Sequence, residues 1–205
     1  MVKGKKVRIN EIECTYFEAT NNKISFIFSG TGYTYDKPAL YYTTQILLEK
    51  GFDVIQVHYS FKQELFNQSE DVISQTIYGC VNAVVESQLE QKAYEKILFI
   101  GKSLGTIPII THYMQQKFDV PVQFINFTPI LSMNLIVNKL QQAPSESLMI
   151  IGTADSNYDE DTLRTLSQHR IKVVSNANHS LDIENDAVQS IQILKQILDE
   201  VVLFI

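Results

Sequence analysis

Short apolar runs punctuate the chain, and longer segments with helically spaced apolar residues lie between them. The runs are KISFIFSG (23–30), DVIQVHYS (53–60), KILFIG (96–101), VQFINF (122–127), SLMIIGT (147–153) and IKVVSN (171–176). Each is nearly continuous in hydrophobicity rather than alternating, the pattern of parallel strands covered by helices on both faces. The intervening segments predict helices at about 38–50, 69–92, 103–117, 159–169 and 182–202. In the second of these, Val72, Ile73, Ile77, Cys80, Val84 and Val85 fall along one stripe, so it is expected to pack on the sheet and expose its other side. The fourth opens DEDT, which places acids where a helix dipole favours them. Residues 6–18, with Val7, Ile9, Ile12, Cys14 and Tyr16, read as extended, antiparallel edge strands whose turn is left open. The expected architecture is α/β with a mostly parallel sheet.

Composition narrows the class. With 205 residues, 45% of them hydrophobic, the chain is long enough for one full core, and residues 1–205 are expected to form a single domain. A formal net charge of −6 argues against nucleic acid as a partner, since no broad electropositive face is expected. The opening MVKGKKVRINEIE lacks the apolar centre of a signal peptide, and no stretch approaches the roughly 20 apolar residues that span a bilayer. Cys14 and Cys80 each lie in an apolar segment, far apart, which predicts buried free thiols and a reducing compartment. A cytoplasmic protein that binds no membrane is expected. The ligand spacing of a metal site and the Lys-Ser/Thr ending of a phosphate loop are both missing, so neither metal nor nucleotide cofactor is expected.

The chemistry begins at Gly101-Lys102-Ser103-Leu104-Gly105. This is a GxSxG motif at the end of a predicted strand and the start of a predicted helix, the setting in which a sharp turn lifts a serine hydroxyl clear of the sheet. Small residues two before and two after are required because the neighbouring chains pass close. A serine needs a base, and the base an acid to orient it. Asp155 follows one later strand and His179 the next, so parallel strands would carry all three to the carboxyl edge of the sheet. Asp159 and Asp161 are alternative acids. His58, His112 and His169 fit less well as the base: the first ends a strand too early, the second lies inside a predicted helix, and the third precedes a strand. Lys102, beside the serine, is expected to pack or be solvated away from the site.

These motifs, in the order serine, acid, histidine, resemble the α/β-hydrolases over nearly the whole chain. Gly152-Thr153-Ala154-Asp155 matches the family's acid setting, and Asn178-His179-Ser180 its histidine loop. The resemblance implies a sheet of about eight strands and an oxyanion hole made by backbone N–H groups. Leu104 would supply one donor; the other would come from SGTGYTYDKP, assigned to Thr31 with Gly32 or Tyr33 as alternatives. That family often has His-Gly-x-Gly there; here Ser29 stands in place of the histidine. Tyr33, Tyr35, Tyr59, Phe61 and Tyr158 follow strand ends and are candidate pocket walls. Residues 128–146 leave room for one short helix rather than a lid domain. The expected function is a serine hydrolase acting on a small ester or thioester through Ser103, His179 and Asp155. A non-catalytic binding protein of the same fold, or an acyltransferase with the same residues, are the alternatives.

Overall fold

The computed structural model describes residues 3–19 and 21–205; residues 1, 2 and 20 of the expected 1–205 unit lie outside the described residues. Among the described residues, eight strands form one sheet in the order β1-β2-β4-β3-β5-β6-β7-β8. They are β1 Lys5–Ile9, β2 Ile12–Phe17, β3 Lys23–Phe28, β4 Phe52–His58, β5 Lys96–Lys102, β6 Val122–Phe127, β7 Leu148–Gly152 and β8 Arg170–Val174. The run from β4 to β8 is parallel, while β2 is antiparallel to both of its neighbours. The β1–β2 turn that the sequence left open is a two-residue connection, with Asn10 and Glu11 both at positive φ (45° and 66°). Such turns match the right-handed twist of the flanking strands.

Among the described residues, six α-helices cover the sheet: α1 Pro38–Glu49, α2 Glu70–Gln91, α3 Thr106–Thr111, α4 Asn134–Gln142, α5 Glu160–Arg164 and α6 Ala187–Phe204. Alternate strand residues feed two cores. Ile24, Phe26, Phe28, Phe99 and Phe124 pack under α2, α3 and α4, whereas Ile27, Val54, Leu98, Ile100 and Ile125 pack under α1 and α6. On the first face Phe99 is central, with ring centroids 4.2 Å from Tyr113, 5.5 Å from Phe26 and 5.9 Å from Phe124. Offset stacking of this kind adds to the energy of simple burial.

Four helix expectations need correction. In α2 the buried stripe is Ile73, Ile77, Val81, Val84 and Val85, so Val81 replaces Val72, which is exposed one position off the stripe. The predicted helix 103–117 is broken into a 3₁₀ turn at Ser103–Gly105, α3, and a second 3₁₀ turn at Tyr113–Gln115. Its break at His112 coincides with stacking of that ring on Tyr78, 3.8 Å away, and with the Thr111 hydroxyl bonding back to the Ile107 carbonyl. Helix α5 ends at Arg164, well short of 169. Helix α6 starts at Ala187 rather than 182, because Asp186 caps it by accepting from the Gln189 N–H.

At the amino ends of the parallel strands, Asp53 ties the sheet to α2. Its fully buried carboxylate accepts from the Ala19 N–H (2.7 Å), the hydroxyls of Tyr16 and Tyr94 (3.1 Å each) and the Lys92 ammonium (2.9 Å). No helix among the described residues is long and apolar enough to cross a membrane. Asp53→Ala strands several buried donors at once, and we expect it to lower the free energy of unfolding by about 3 kcal/mol in a urea titration.

Candidate active site

Ser103 stands at the turn from β5 into α3 with φ of 53°, in the left-handed region that a side chain adopts only under constraint. Backbone packing supplies the constraint. A Cβ on Gly101 would lie 2.6 Å from the Gly105 carbonyl oxygen, and one on Gly105 would collide with the carbonyl of Phe28 in β3. Both motif glycines are therefore sites of backbone contact. The loop after β3 also closes on the serine: a Cβ on Gly30 would lie 3.2 Å from the Ser103 Cβ and from the Lys102 carbonyl oxygen.

The structure brings Ser103, His179 and Asp155 together. The His179 Nε2 lies 2.8 Å from the Ser103 Oγ, and its Nδ1 lies 2.8 Å from the Asp155 Oδ2. Asp155 is buried and His179 half-exposed, so the chain of bonds runs from the interior to the surface. Burial pushes the Asp155 carboxyl up, but bonds from His179 and from the Asn157 backbone and side chain outweigh it and hold the group below the ordinary carboxylate value. Asn157 donates to Oδ1 from its backbone (2.9 Å) and its amide (3.2 Å). Asp159 and Asp161 do not compete for this place: the first caps α5 through the Thr162 N–H, the second pairs with Arg164.

Two loops hold the acid and the imidazole in register. The Ala154 N–H donates to the Ala177 carbonyl (3.0 Å) and the Asn176 N–H to the Thr153 hydroxyl (2.8 Å). A Cβ on Gly152 would strike the Ala177 carbonyl, which explains the glycine at that strand end. The histidine loop is turned by Asn178, whose Oδ1 accepts from the N–H groups of Ser180 and Asp182 (2.8 and 3.2 Å).

The flanking residues divide. Leu104 directly follows Ser103 in the 3₁₀ turn, and Thr31 is exposed on the loop that Gly30 packs against the serine. Tyr33 is buried: its hydroxyl accepts from the Ala39 N–H, its ring faces the Lys102 ammonium at 4.9 Å, and it lines a small hollow with Ser180 and Leu181. Tyr35 is likewise buried. Tyr59 is half-buried, donates to the Ser29 carbonyl (2.6 Å) and packs against Phe61; Tyr158 is half-buried beside the acid loop. A groove of about 810 Å³ reaches Ser29, Gly30, Thr31 and Tyr59, yet Ser103, Asp155 and His179 do not line it. The three side chains are joined by hydrogen bonds and stand outside this hollow.

Lys102 packs inward, one of its two expected fates, and does so beneath the histidine loop. It is fully buried and donates to the Thr128 hydroxyl (2.6 Å) and the His179 carbonyl (2.8 Å). A lysine at the end of a strand buried on both faces was the available signal. The other histidines are engaged elsewhere: His58 with Thr15, His112 with Tyr78, and His169 between the Ser147 N–H and the Leu140 carbonyl. Cys14 and Cys80 are free thiols, and burial pushes the first up to about 12. No cluster of three metal-ligating side chains occurs among the described residues.

No family model matches the chain, and no curated protein matches it in sequence. Solved structures do. An esterase from Pyrococcus furiosus is 12% identical with a TM-score of 0.69, covering all of this chain and 91% of that one. A dienelactone hydrolase from Anabaena variabilis is 15% identical with a TM-score of 0.67, covering 100% and 96%. A serine hydrolase without lid from Xanthomonas campestris is 14% identical with a TM-score of 0.66, covering 98% and 94%. The chain has the α/β-hydrolase fold.

Burial holds the pKa values of His58, His112 and His169 below the ordinary imidazole value, so the unfolded chain binds protons more readily than the folded one. Stability from these groups is complete at neutral pH. It is expected to fall as pH drops through about 6.5 and to level off below the folded values, with His169→Gln reducing the slope in urea titrations across that range.

Proposed function

We propose that the chain is a serine hydrolase that cleaves a small ester or thioester through an acyl-enzyme. Ser103 Oγ attacks the substrate carbonyl carbon as His179 Nε2 takes its proton, and the oxyanion is met by the N–H groups of Leu104 and Thr31. The bond to the leaving alkoxide or thiolate breaks as His179 returns the proton to it. Water then attacks the acyl carbon, gives its proton to His179, and releases the acid with Ser103 restored. Asp155 stays ionised and holds the imidazolium.

The observation that carries this reading is the continuous chain of two 2.8 Å contacts, Ser103 to His179 to Asp155, begun by a serine at φ of 53°. A binding protein has no need of a strained serine bonded to an imidazole. The connection from β6 to β7 carries the single short helix α4, which favours a substrate bound at an open surface, with Tyr59 and Tyr158 as walls. Esterases and dienelactone hydrolases among the similar structures support the same class. Two free thiols favour a reducing compartment such as the cytoplasm.

A fluorophosphonate probe is expected to label the wild-type chain and leave Ser103→Ala unlabelled. Folded wild-type protein that takes up no label overturns the proposal in favour of a binding protein. Asp155→Asn, folded normally by circular dichroism, is expected to lower kcat on p-nitrophenyl acetate by about 10³- to 10⁴-fold, because the imidazole loses its oriented tautomer.

A further inference from the structure

Lys102 is the last residue of β5, and its ammonium is the point at which several loops of the carboxyl edge meet. It reaches Thr128 after β6 and the carbonyl of His179 after β8, and it faces the ring of Tyr33 after β3. Among the described residues no carboxylate lies within 4.0 Å of its nitrogen. A buried cation held by neutral oxygens and an aromatic face is a poor stabilising device, since a methionine of similar length fills the same space without the desolvation cost. What methionine cannot do is hold a carbonyl.

We propose that Lys102 is a positioning residue for the base: by fixing the His179 carbonyl it sets the peptide from which the imidazole reaches Ser103. The inference rests on the reading of Ser103 and His179 as nucleophile and base. Lys102 touches neither the Ser103 hydroxyl nor the imidazole ring nitrogens, whose partners are each other and Asp155. It acts through the main chain of the histidine loop, where Leu181, two residues on, sits at φ of 65° and the Asn178 side chain closes the turn. A loop so tightly turned transmits a shift of one carbonyl directly to the neighbouring side chain.

The arrangement is also sensitive to pH. Burial pulls the Lys102 ammonium down to about 8, against the opposing pull of Asp155 and Asp182. The groups facing it are Asp155 from the loop after β7, Asp182 and His179 from the loop after β8, and the phenol of Tyr33, which burial pushes up to about 12. Losing its proton turns two charge-assisted bonds into ordinary ones, roughly halving their strength. The hold on His179 is therefore firm below about pH 8 and loosens above it.

The test compares wild type, Lys102→Met and Thr128→Val by fluorophosphonate labelling and by p-nitrophenyl acetate turnover from about pH 7 to about pH 10, with circular dichroism at each pH. Wild-type kcat is expected to decline with a midpoint near 8 while the fold is unchanged. Folded Lys102→Met is expected to lose about 10- to 100-fold in kcat and labelling rate with little change in KM, and to lack the alkaline decline. Thr128→Val removes a bond to the charged form and should move the decline to lower pH. A folded Lys102→Met that labels and turns over at the wild-type rate overturns the inference. If that variant does not fold, the other arms decide: a wild-type profile flat to about pH 10, or a decline that Thr128→Val leaves in place, overturns it equally. Wild-type protein that takes no label at all overturns the nucleophile reading itself, a result distinct from a labelled wild type with an indifferent Lys102→Met.

Discussion

Two main chains touch beneath the serine, and the site depends on that contact. Gly105 lies against the Phe28 carbonyl of the neighbouring strand, and Gly101 against Gly105, with no room for a methyl group at either place. This allows β5 to pass into α3 through the three-residue 3₁₀ turn Ser103–Gly105 and leaves Ser103 at φ of 53°. The stacked apolar faces around Phe99 resist any relaxation, because the strands that would have to part are packed on both sides. Backbone strain at one residue is thus maintained by close packing across the whole sheet.

Electrostatics at the same edge follows from depth. Asp155 is buried and receives three bonds, one from the imidazole and two from Asn157, so its charge is satisfied without water. His179 and Ser103 are both partly exposed. Carboxylate, imidazole and hydroxyl form a single hydrogen-bonded line, and the histidine cannot turn away without abandoning a buried anion. Lys102 adds a cation below that line, tied to the peptide of the histidine rather than to the acid.

How much of this was readable from the sequence depended on whether a local signal existed. The six parallel strands were legible because near-continuous runs such as KILFI have no other comfortable environment, and VQFINF matched β6 residue for residue. The serine, acid and histidine followed from their places after successive strands. Helix ends were misjudged where tertiary contacts overrode the pattern: His112 stacks on Tyr78 and ends α3 early, and the histidine loop takes five residues that looked helical before α6. The contact between Tyr33 and Lys102 was not legible, since neither partner is apparent from spacing. Asn157 was missed although Asp-Ser-Asn is a sequence that closes an Asx turn, with the Asn157 N–H on the Asp155 oxygen.

Helix α4 carries no starting signal of its own. Its first residue follows Met133, which offers no capping oxygen, and its free N–H groups at Asn134 and Leu135 are taken by the carboxylate of Glu70 at the start of α2 (3.1 and 2.7 Å). Nine residues are too few for a helix to persist alone in water. The crossover from β6 to β7 thus takes the cap of its helix from a residue more than sixty positions upstream. A fragment cut between the two helices would leave α4 without the borrowed anion that caps it.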